Sequence, residues 1–438
     1  MEIKKIKEKI ISELKKEELF DVWKKIEVPI IDYIDEMNKN GFKINLDEMK
    51  KKSQDFNQKI KKLEEEIFNL AGKEFNIKSS QQLSKILFEV LELPKKGIRK
   101  TASGYFSTKE SELEKLKEEH EIIPKILEYR ELTKMVSTYI DNLIPEIEKD
   151  KDHRLHYEIL QIGTSTGRMS SKNPNIQNIP AGGEFGQEIR KFFIAKKNHS
   201  LVSFDYSQIE LRIVAIFSQD KFLLEAFQNG LDIHSIVAEK VFGEANPENR
   251  KKAKVINFGI LYGMGVNSLA KNLNTDRKTA QEYLNQYFET FQGLKEYIEK
   301  IKEFGHQNGW VKTLYGRKRF LPELNSKLPF IRSNGERMAI NAPIQGTSAD
   351  IIKLAMQKIW DFLKNKNLLK KIKPIAQIHD ELIFEISDEI LTEKYLTEIE
   401  SFMENIFQKF PILDEYKNLK LVPLKVNKKI AKNWAELK

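Results

Sequence analysis

The 438-residue chain contains no cysteine. Disulfides, thiolate zinc sites and cysteine nucleophiles are therefore excluded, and a reducing compartment is the natural setting. No apolar stretch reaches the roughly 20 residues that a membrane-spanning helix requires. The N-terminal Met1-Glu2-Ile3-Lys4-Lys5 lacks an apolar core region and mixes both charge signs, so it matches neither a signal peptide nor a transit peptide. There is no internal repeat and no low-complexity tract. Apolar residues make up 40%, enough for a sizeable interior, which excludes a fully disordered chain. The length points to roughly two to four lobes. Lys and Arg total 74 against 65 Asp and Glu, a formal balance of +9. That moderate excess suits a polyanionic partner without identifying one.

Hydrophobic spacing predicts a chain rich in helix. Ile3, Ile6, Ile10, Ile11 and Leu14 place an amphipathic helix in residues 1–20. Ile30, Ile31, Ile34 and Met37 form one face of a second, closed by Asn40-Gly41. A long helix is expected from Asn45 to Ala71, with Gly72 at its end, and shorter ones at about 79–91 and 108–119. Between them, Pro94-Lys95-Lys96-Gly97-Ile98-Arg99-Lys100 is a basic loop and a candidate phosphate contact. Residues 122–147 read as helix broken near Pro145. After Lys151 the texture changes, with Gly163-Thr164-Ser165-Thr166-Gly167-Arg168 and the Asn/Pro-rich 173–180.

Leu201-Val202-Ser203-Phe204 reads as a buried strand ending in Asp205. Helices are expected over 208–306 and a hairpin or irregular loop over 310–320. A helix from Glu336 is expected to break at Pro343 and run on to about Lys364. Ile375–Ile378, His379-Asp380-Glu381 and Leu382–Ile386 read as strand, tight turn, strand. A helix at 389–408 and a final strand at 420–426 complete the chain. The fold class is α+β, one small sheet with two helical lobes around it.

Two constellations carry chemistry. Arg250, Lys254, Phe258 and Tyr262 recur every four residues, which on a helix makes one slowly drifting stripe about 18 Å long. Its first half is cationic and its second aromatic, with Ile256 and Ile260 opposite and Gly263 and Gly265 beyond. Such a stripe can hold a triphosphate at one end and a flat base at the other. An ordinary amphipathic helix would explain the two cations alone, but not the aromatics in register behind them. The second constellation is Asp205 at a strand end with Asp380 and Glu381 at a hairpin turn. A single aspartate in a turn usually caps the backbone. If the hairpin lies beside the first strand, the pair makes a hard, all-oxygen site suited to Mg²⁺. Two ions about 3.5–4 Å apart would activate an attacking hydroxyl and stabilise a leaving oxygen.

These residues fall in segments that resemble the bacterial DNA polymerase I family (family A). Leu201–Arg212 resembles its motif A, Arg250–Gly263 its motif B, and Gln377–Leu382 its motif C. Thr164–Ser171 with Pro174–Pro180 matches a further signature, as does Asn341–Thr347. The signatures stand in family order, and the resemblance runs from about Val28 to the C-terminus. It implies a right-hand fold: an N-terminal helical remnant at 1–26, thumb at 27–160, palm at 161–217 and 336–438, and fingers at 218–335.

The resemblance also assigns roles. Asp205 and Asp380, with the backbone carbonyl of Tyr206, would hold two Mg²⁺ ions, for which Mn²⁺ substitutes, and Glu381 would support them. Arg250 and Lys254 would clamp the triphosphate of a dNTP, with Lys254 protonating the departing pyrophosphate. His234 would contact the phosphates, with Asp232 capping its helix. Phe258 would lie on the sugar and base, and Tyr262 would stack near the templating position. Gln208 and Glu210 belong to the nucleotide site, and a glutamate at 210 blocks the 2′ position, which favours dNTPs over ribonucleotides. Arg168, Gln177 and Gln345 would read the minor groove, where acceptors are nearly independent of sequence. Asn175, Asn341 and His379 complete the expected DNA contacts, with His379 at the primer terminus.

The implied partners are a primer–template duplex and dNTPs, with RNA templates left open, no membrane, and a monomer in the cytoplasm of a bacterial or phage-infected cell. The stretch 1–26 is too short for a nuclease domain, and Asp32, Asp35 and Glu36 sit on a helical stretch without an exonuclease pattern. The expectation is therefore no 3′→5′ or 5′→3′ exonuclease in this chain. Two stretches depart from the family: Ala181-Gly182-Gly183 stands where relatives place a basic residue on the DNA backbone, and Asn427–Ala431 replaces a glycine-containing stretch while Trp434 is kept. A non-catalytic DNA-binding accessory protein and an RNA-making polymerase are the competing readings. Retention of both aspartates and Lys254 disfavours the first, and Glu210 the second.

Overall fold

A computed structural model of the chain describes residues 2–180 and 182–437, with side chains from Lys5 onward. The expectations for Ala181 and for the Ile3 side chain lie outside the described residues. The chain divides into two compact units. One comprises the chain up to Asn40, Tyr157–Gln177 and Lys197–Ile430; the other comprises Gly41–His156, Asn178–Lys196 and Ala431 onward. Residues 27–40 and 157–160 thus belong to the first unit, and 41–156 to the second. Specific bonds explain this. Buried Glu27 pairs with Lys353, Asn40 Nδ2 donates to the Pro374 carbonyl at 3.0 Å, and the Tyr157 hydroxyl donates to the Ile375 carbonyl. This division does not separate the expected palm and fingers segments.

In the second unit the long helix is Leu46–Ala71, as its pattern predicts. Asn45 caps it by accepting from the Glu48 amide, and Gly72 ends it in a left-handed conformation. Ile122–Met135 packs along it, with Tyr129 donating to Glu64 at 2.8 Å. The Pro94–Lys100 loop is irregular and exposes Lys95, Lys96, Arg99 and Lys100. Trp434 is buried between Phe42 and Phe193, and the Arg190 guanidinium lies 4.0 Å over its ring.

The first unit is built on a four-stranded sheet, in the order Val426–Ala431, His199–Tyr206, Glu381–Ser387, Ile372–Ile378. The three strands from 199 to 387 pair antiparallel. Their apolar runs are buried on both faces, which accounts for continuous rather than alternating hydrophobicity. Two two-stranded ribbons belong to the same unit, at 158–160 with 170–172 and 310–312 with 318–320, and the second unit has one of its own at 42–43 with 154–155. The single small sheet expected from sequence is therefore supplemented, and the 310–320 segment is a hairpin.

The structure departs from the local readings at four places. In the N-terminal helix Glu2–Lys16, Ile6 and Ile10 are exposed. Ile31 is 47% exposed, because Val28–Ile30 forms a tight 3₁₀ turn and the buried face then runs Ile30, Ile34, Met37. The last strand is Val426–Ala431, not 420–426. Pro423 has no N–H for a ladder, and the backbone there is held by side chains instead: Arg212 Nη1 donates to the Pro423 carbonyl at 2.6 Å, and Gln219 bonds both backbone groups of Lys420. Finally, Pro343 does not break its helix, which runs unbroken over 37 residues from Pro329 to Asn365. An interior proline costs about 3 kcal/mol. Burial of Ile344, Ile351, Ile352, Leu354 and Met356 along the same helix offsets that cost. Gly346 lets the helix approach its neighbours, since a Cβ there would lie 2.6 Å from Thr313 Cγ2 and 3.1 Å from the Thr166 carbonyl oxygen.

Candidate active site

The sheet brings the two aspartates to one end. Asp205 faces Glu381 across the antiparallel pair, and the Tyr206 amide donates to the Asp380 carbonyl at 3.2 Å. Asp380 lies in the two-residue turn with His379, whose φ of 55° is left-handed and leaves the imidazole exposed. Asp205 is exposed, Asp380 half-buried and Glu381 buried. Ser348 Oγ donates to Asp380 Oδ1 at 3.1 Å, and Arg168 Nη2 lies 3.8 Å from the same oxygen.

The donors at this end are hard oxygens. Among the described residues no three His, Asp or Glu side chains converge on one point. Two carboxylates that leave room for substrate oxygens are what Mg²⁺ ordinarily takes, since it keeps several waters and phosphate ligands. The residues present therefore fit the ion.

Beside Asp380 lies Glu210, in the first turn of the buried helix Ile209–Ser218. Gln208 precedes that helix with φ 53° and supplies the first carbonyl, to the Arg212 amide. Glu210 is 5% exposed, and both its oxygens are taken: Arg168 Nη2 donates to one at 2.7 Å and the Tyr262 hydroxyl to the other at 3.1 Å. Burial raises its pKa above the ordinary carboxylate value; Arg168 counters only part of that, and nearby Asp380 adds to it. Burial and the Glu210 charge push the Tyr262 hydroxyl up to about 12.

The stripe forms as its spacing predicts. Helix Pro247–Leu261 starts at an Asn246 cap with proline in its first turn. Arg250 and Lys254 are exposed, Phe258 is half-buried, and Tyr262 sits at the C-cap, while Ala253, Ile256 and Ile260 are buried opposite. Of the two glycines beyond it, Gly263 is required, having φ +63° and close contact with Arg337. Gly265 is not, because a Cβ there meets open space.

Arg250 Nε donates to Asp232 Oδ2 at 2.6 Å. Asp232 caps helix Ile233–Phe242, as expected. Burial works to raise its pKa, but hydrogen bonds from Arg250, Ser235 and the His234 amide outweigh that and hold it at about 2. His234 is buried, with its ring 6.0 Å from that of Phe258. Its pKa is lowered by burial and by the Arg250 and Lys254 charges, which together exceed the pull of Asp232.

The expected DNA contacts fall into two groups. Arg168, Gln177 and His379 line one small cavity with Met169, Gln377 and Lys353. Gln177 Nε2 donates to both oxygens of Gln377, at 3.0 and 3.1 Å, and Gln377 Nε2 donates to the His379 carbonyl. Asn341 and Gln345 are half-exposed on one face of the uninterrupted helix, one turn apart. Asn175 Oδ1 accepts from Ser171 Oγ and the Gln177 amide, so its oxygen shapes the loop. Sequence reasoning missed Ser348, which reaches Asp380 from the long helix Pro329–Asn365. It also missed buried Asn257, whose amide lies 2.9 Å from His234 Nδ1 and accepts from the Tyr287 hydroxyl at 2.9 Å. Only Asn257 left a signal, as a polar side chain on the buried face of the stripe helix.

The family described as DNA polymerase family A matches residues 46–436. The chain belongs to DNA polymerase family A. Among individual relatives, it is 44% identical over 423 residues to DNA polymerase I of Caldicellulosiruptor bescii, covering 95% of this chain and 47% of the relative. It is 40% identical over 441 residues to DNA polymerase I of Bacillus subtilis, covering 100% and 48% respectively. To the thermostable DNA polymerase I of Thermus aquaticus it is 39% identical over 426 residues, covering 96% and 49%. This family A chain thus spans about half the length of the curated relatives it matches. A solved structure, the POL domain of Pol1 from M. smegmatis in complex with DNA primer-template and dNTP, superposes with a TM-score of 0.87 at 33% identity, covering 98% of this chain and 73% of that one. The right-hand polymerase fold expected from sequence is thereby supported.

Proposed function

We propose that this chain is a template-directed DNA polymerase that adds dNTPs to a primer 3′-hydroxyl with release of pyrophosphate. The observation that carries the reading is a continuous line of contacts, Tyr262 to Glu210 to Arg168 to Asp380, which joins the aromatic end of the stripe to the acidic end of the sheet. A phosphate clamp, a sugar-facing carboxylate and a metal-binding pair then serve one reaction. The neighbour solved with primer-template and dNTP supports the same partners here.

Asp205, Asp380 and the Tyr206 carbonyl would hold Mg²⁺, which supplies activation of the 3′-hydroxyl and neutralisation of charge at the α-phosphate. The protein's own residues do the rest. Arg250 and Lys254 bind the triphosphate, and Asp232 aims Arg250. Lys254 gives a proton to the departing pyrophosphate. Phe258 and Tyr262 supply flat faces for the base, and Glu210 occupies the space a 2′-hydroxyl would need. Arg168, Gln177, Asn341, Gln345 and His379 hold the nascent pair and primer end, while the basic Pro94–Lys100 loop grips duplex phosphates as part of a thumb. In this reading residues 218–335 carry the fingers, and 161–217 with 336–438 the palm. The polymerase acts as a monomer in the cytoplasm.

The same proposal gives the chain no exonuclease of its own. Asp32 and Asp35 are exposed along helix Ile31–Asn40. Primer extension across temperature, with dNTPs and rNTPs on DNA and RNA templates, tests the assignment. Template-dependent dNTP incorporation supports it, and preferential rNTP incorporation overturns it. A radiolabelled primer shortened by metal-washed protein after Mg²⁺ is restored would contradict the exonuclease statement.

A further inference from the structure

Behind the phosphate-facing side of the stripe lies a buried chain of three side chains. The Tyr287 hydroxyl donates to Asn257 Oδ1 at 2.9 Å, and Asn257 Nδ2 lies 2.9 Å from His234 Nδ1. Asn257 and Tyr287 are each 1% exposed and His234 is 4% exposed. The three come from separate helices, Arg277–Thr290, Pro247–Leu261 and Ile233–Phe242. We propose that Tyr287 and Asn257 are positioning residues that hold His234 in the neutral tautomer with its proton on Nε2, so that this nitrogen donates to the triphosphate of the incoming nucleotide. The last step rests on the polymerase reading; the tautomer does not.

The direction of the chain follows from donor and acceptor accounting. Among the described residues the buried Tyr287 hydroxyl bonds Asn257 alone. If the amide were turned over, its NH₂ would face the tyrosine oxygen and the hydroxyl hydrogen would lose its acceptor in the interior, a costly arrangement. With Oδ1 toward Tyr287, the amide NH₂ must face His234, and Nδ1 can only accept. A neutral imidazole with a bare Nδ1 carries its proton on Nε2.

The charged and titratable groups around the ring are Asp232 on its own helix, Arg250 and Lys254 on the stripe, and Tyr287 behind Asn257. The two cations disfavour a third positive charge, in keeping with the lowered pKa. A neutral donor gives the phosphates a hydrogen bond that does not vary with pH across the neutral range. It also leaves the charge balance of the clamp to Arg250 and Lys254.

The test begins with ¹⁵N-histidine NMR on the whole chain without DNA or nucleotide, with His234 assigned by its loss in His234→Gln. The expected signal at pH 7 to 8 is a bare Nδ1 and a protonated Nε2. An Nδ1-protonated ring, or imidazolium at pH 7, overturns the proposal. Tyr287→Phe should mix the tautomers and raise the KM for dNTP about 5-fold, with kcat changed less than about 2-fold. Asn257→Asp reverses the logic, because a carboxylate accepts from Nδ1–H and favours first the imidazolium and then the wrong neutral tautomer. The ratio of mutant to wild-type KM should therefore rise with pH. If the buried carboxylate of Asn257→Asp prevents folding, the wild-type spectrum and Tyr287→Phe still decide. A single Nε2-protonated tautomer in Tyr287→Phe would show that the relay does not set it. The predicted tautomer in a protein that extends no primer would instead overturn the polymerase reading.

Discussion

The Tyr262 hydroxyl and the Glu210 carboxylate are 3.1 Å apart, although they belong to separate helices and lie 52 residues apart in sequence. Arg168 holds the other carboxylate oxygen at 2.7 Å, so Glu210 is fixed from both sides in a buried position. A carboxylate held in this way is a rigid wall. Removing it by Glu210→Ala should raise rNTP relative to dNTP incorporation by roughly 100-fold or more, the scale of discrimination that a purpose-built site provides. Competition assays with single nucleotides measure this. An unchanged ratio would show that Glu210 does not face the sugar.

Phe258 occupies the middle of the stripe, half-buried against His234. By resemblance to the family, phenylalanine at this point rejects dideoxynucleotides and tyrosine accepts them. Phe258→Tyr should make chain termination efficient in a sequencing-style ladder. Unaltered termination would refute the assignment of that helix face.

A buried charge cluster reaches the small cavity that Lys353 lines with Arg168 and His379. Lys353 Nζ donates to Glu27 Oε1 at 2.8 Å, and Arg317 bridges Glu27 to Asp350, with Lys353 and Asp350 fully buried. Glu27→Gln leaves the two cations under-compensated and should cost about 3–5 kcal/mol in urea unfolding. Burial works to raise the Glu27 pKa, but Arg317 and Lys353 outweigh it, and the net shift is downward. Its contribution is therefore present above the unfolded-state pKa of about 4.3 and is lost as the pH falls through the lower folded value. Wild-type stability should fall in that acidic window more steeply than that of Glu27→Gln.

Ser348 is fully buried and donates to Asp380 at 3.1 Å. Loss of one hydrogen bond to a charged group is worth about 1.5 kcal/mol, so Ser348→Ala should slow single-turnover extension about 10-fold. Primer–template affinity should stay unchanged, since the serine makes no exposed surface. A loss of affinity instead of rate would place Ser348 in the DNA interface.

What the sequence made legible follows from how local each signal is. The stripe from Arg250 to Tyr262 could be read because helical geometry alone aligns its residues. Asp205 and Asp380 could be named, but only the register that sets Asp205 opposite Glu381 brings them to one end. Pro343 reads locally as a helix break, but burial of the long helix around it overrides that propensity. The strand placed at 420–426 failed because an apolar run around Pro423 is held by Arg212 and Gln219, partners about 200 residues away. Ser348 and Tyr287 left no trace at all, since each matters only through a contact between elements distant in sequence.

The account stands on two aspartates acting together in nucleotide transfer. The most direct measurement is single-nucleotide primer extension by Asp380→Ala beside a binding assay on the same primer–template. The account predicts that extension is abolished while DNA affinity stays within about 3-fold of wild type, as expected when an interaction made only in the transition state is removed. Extension at the wild-type rate by Asp380→Ala would contradict it.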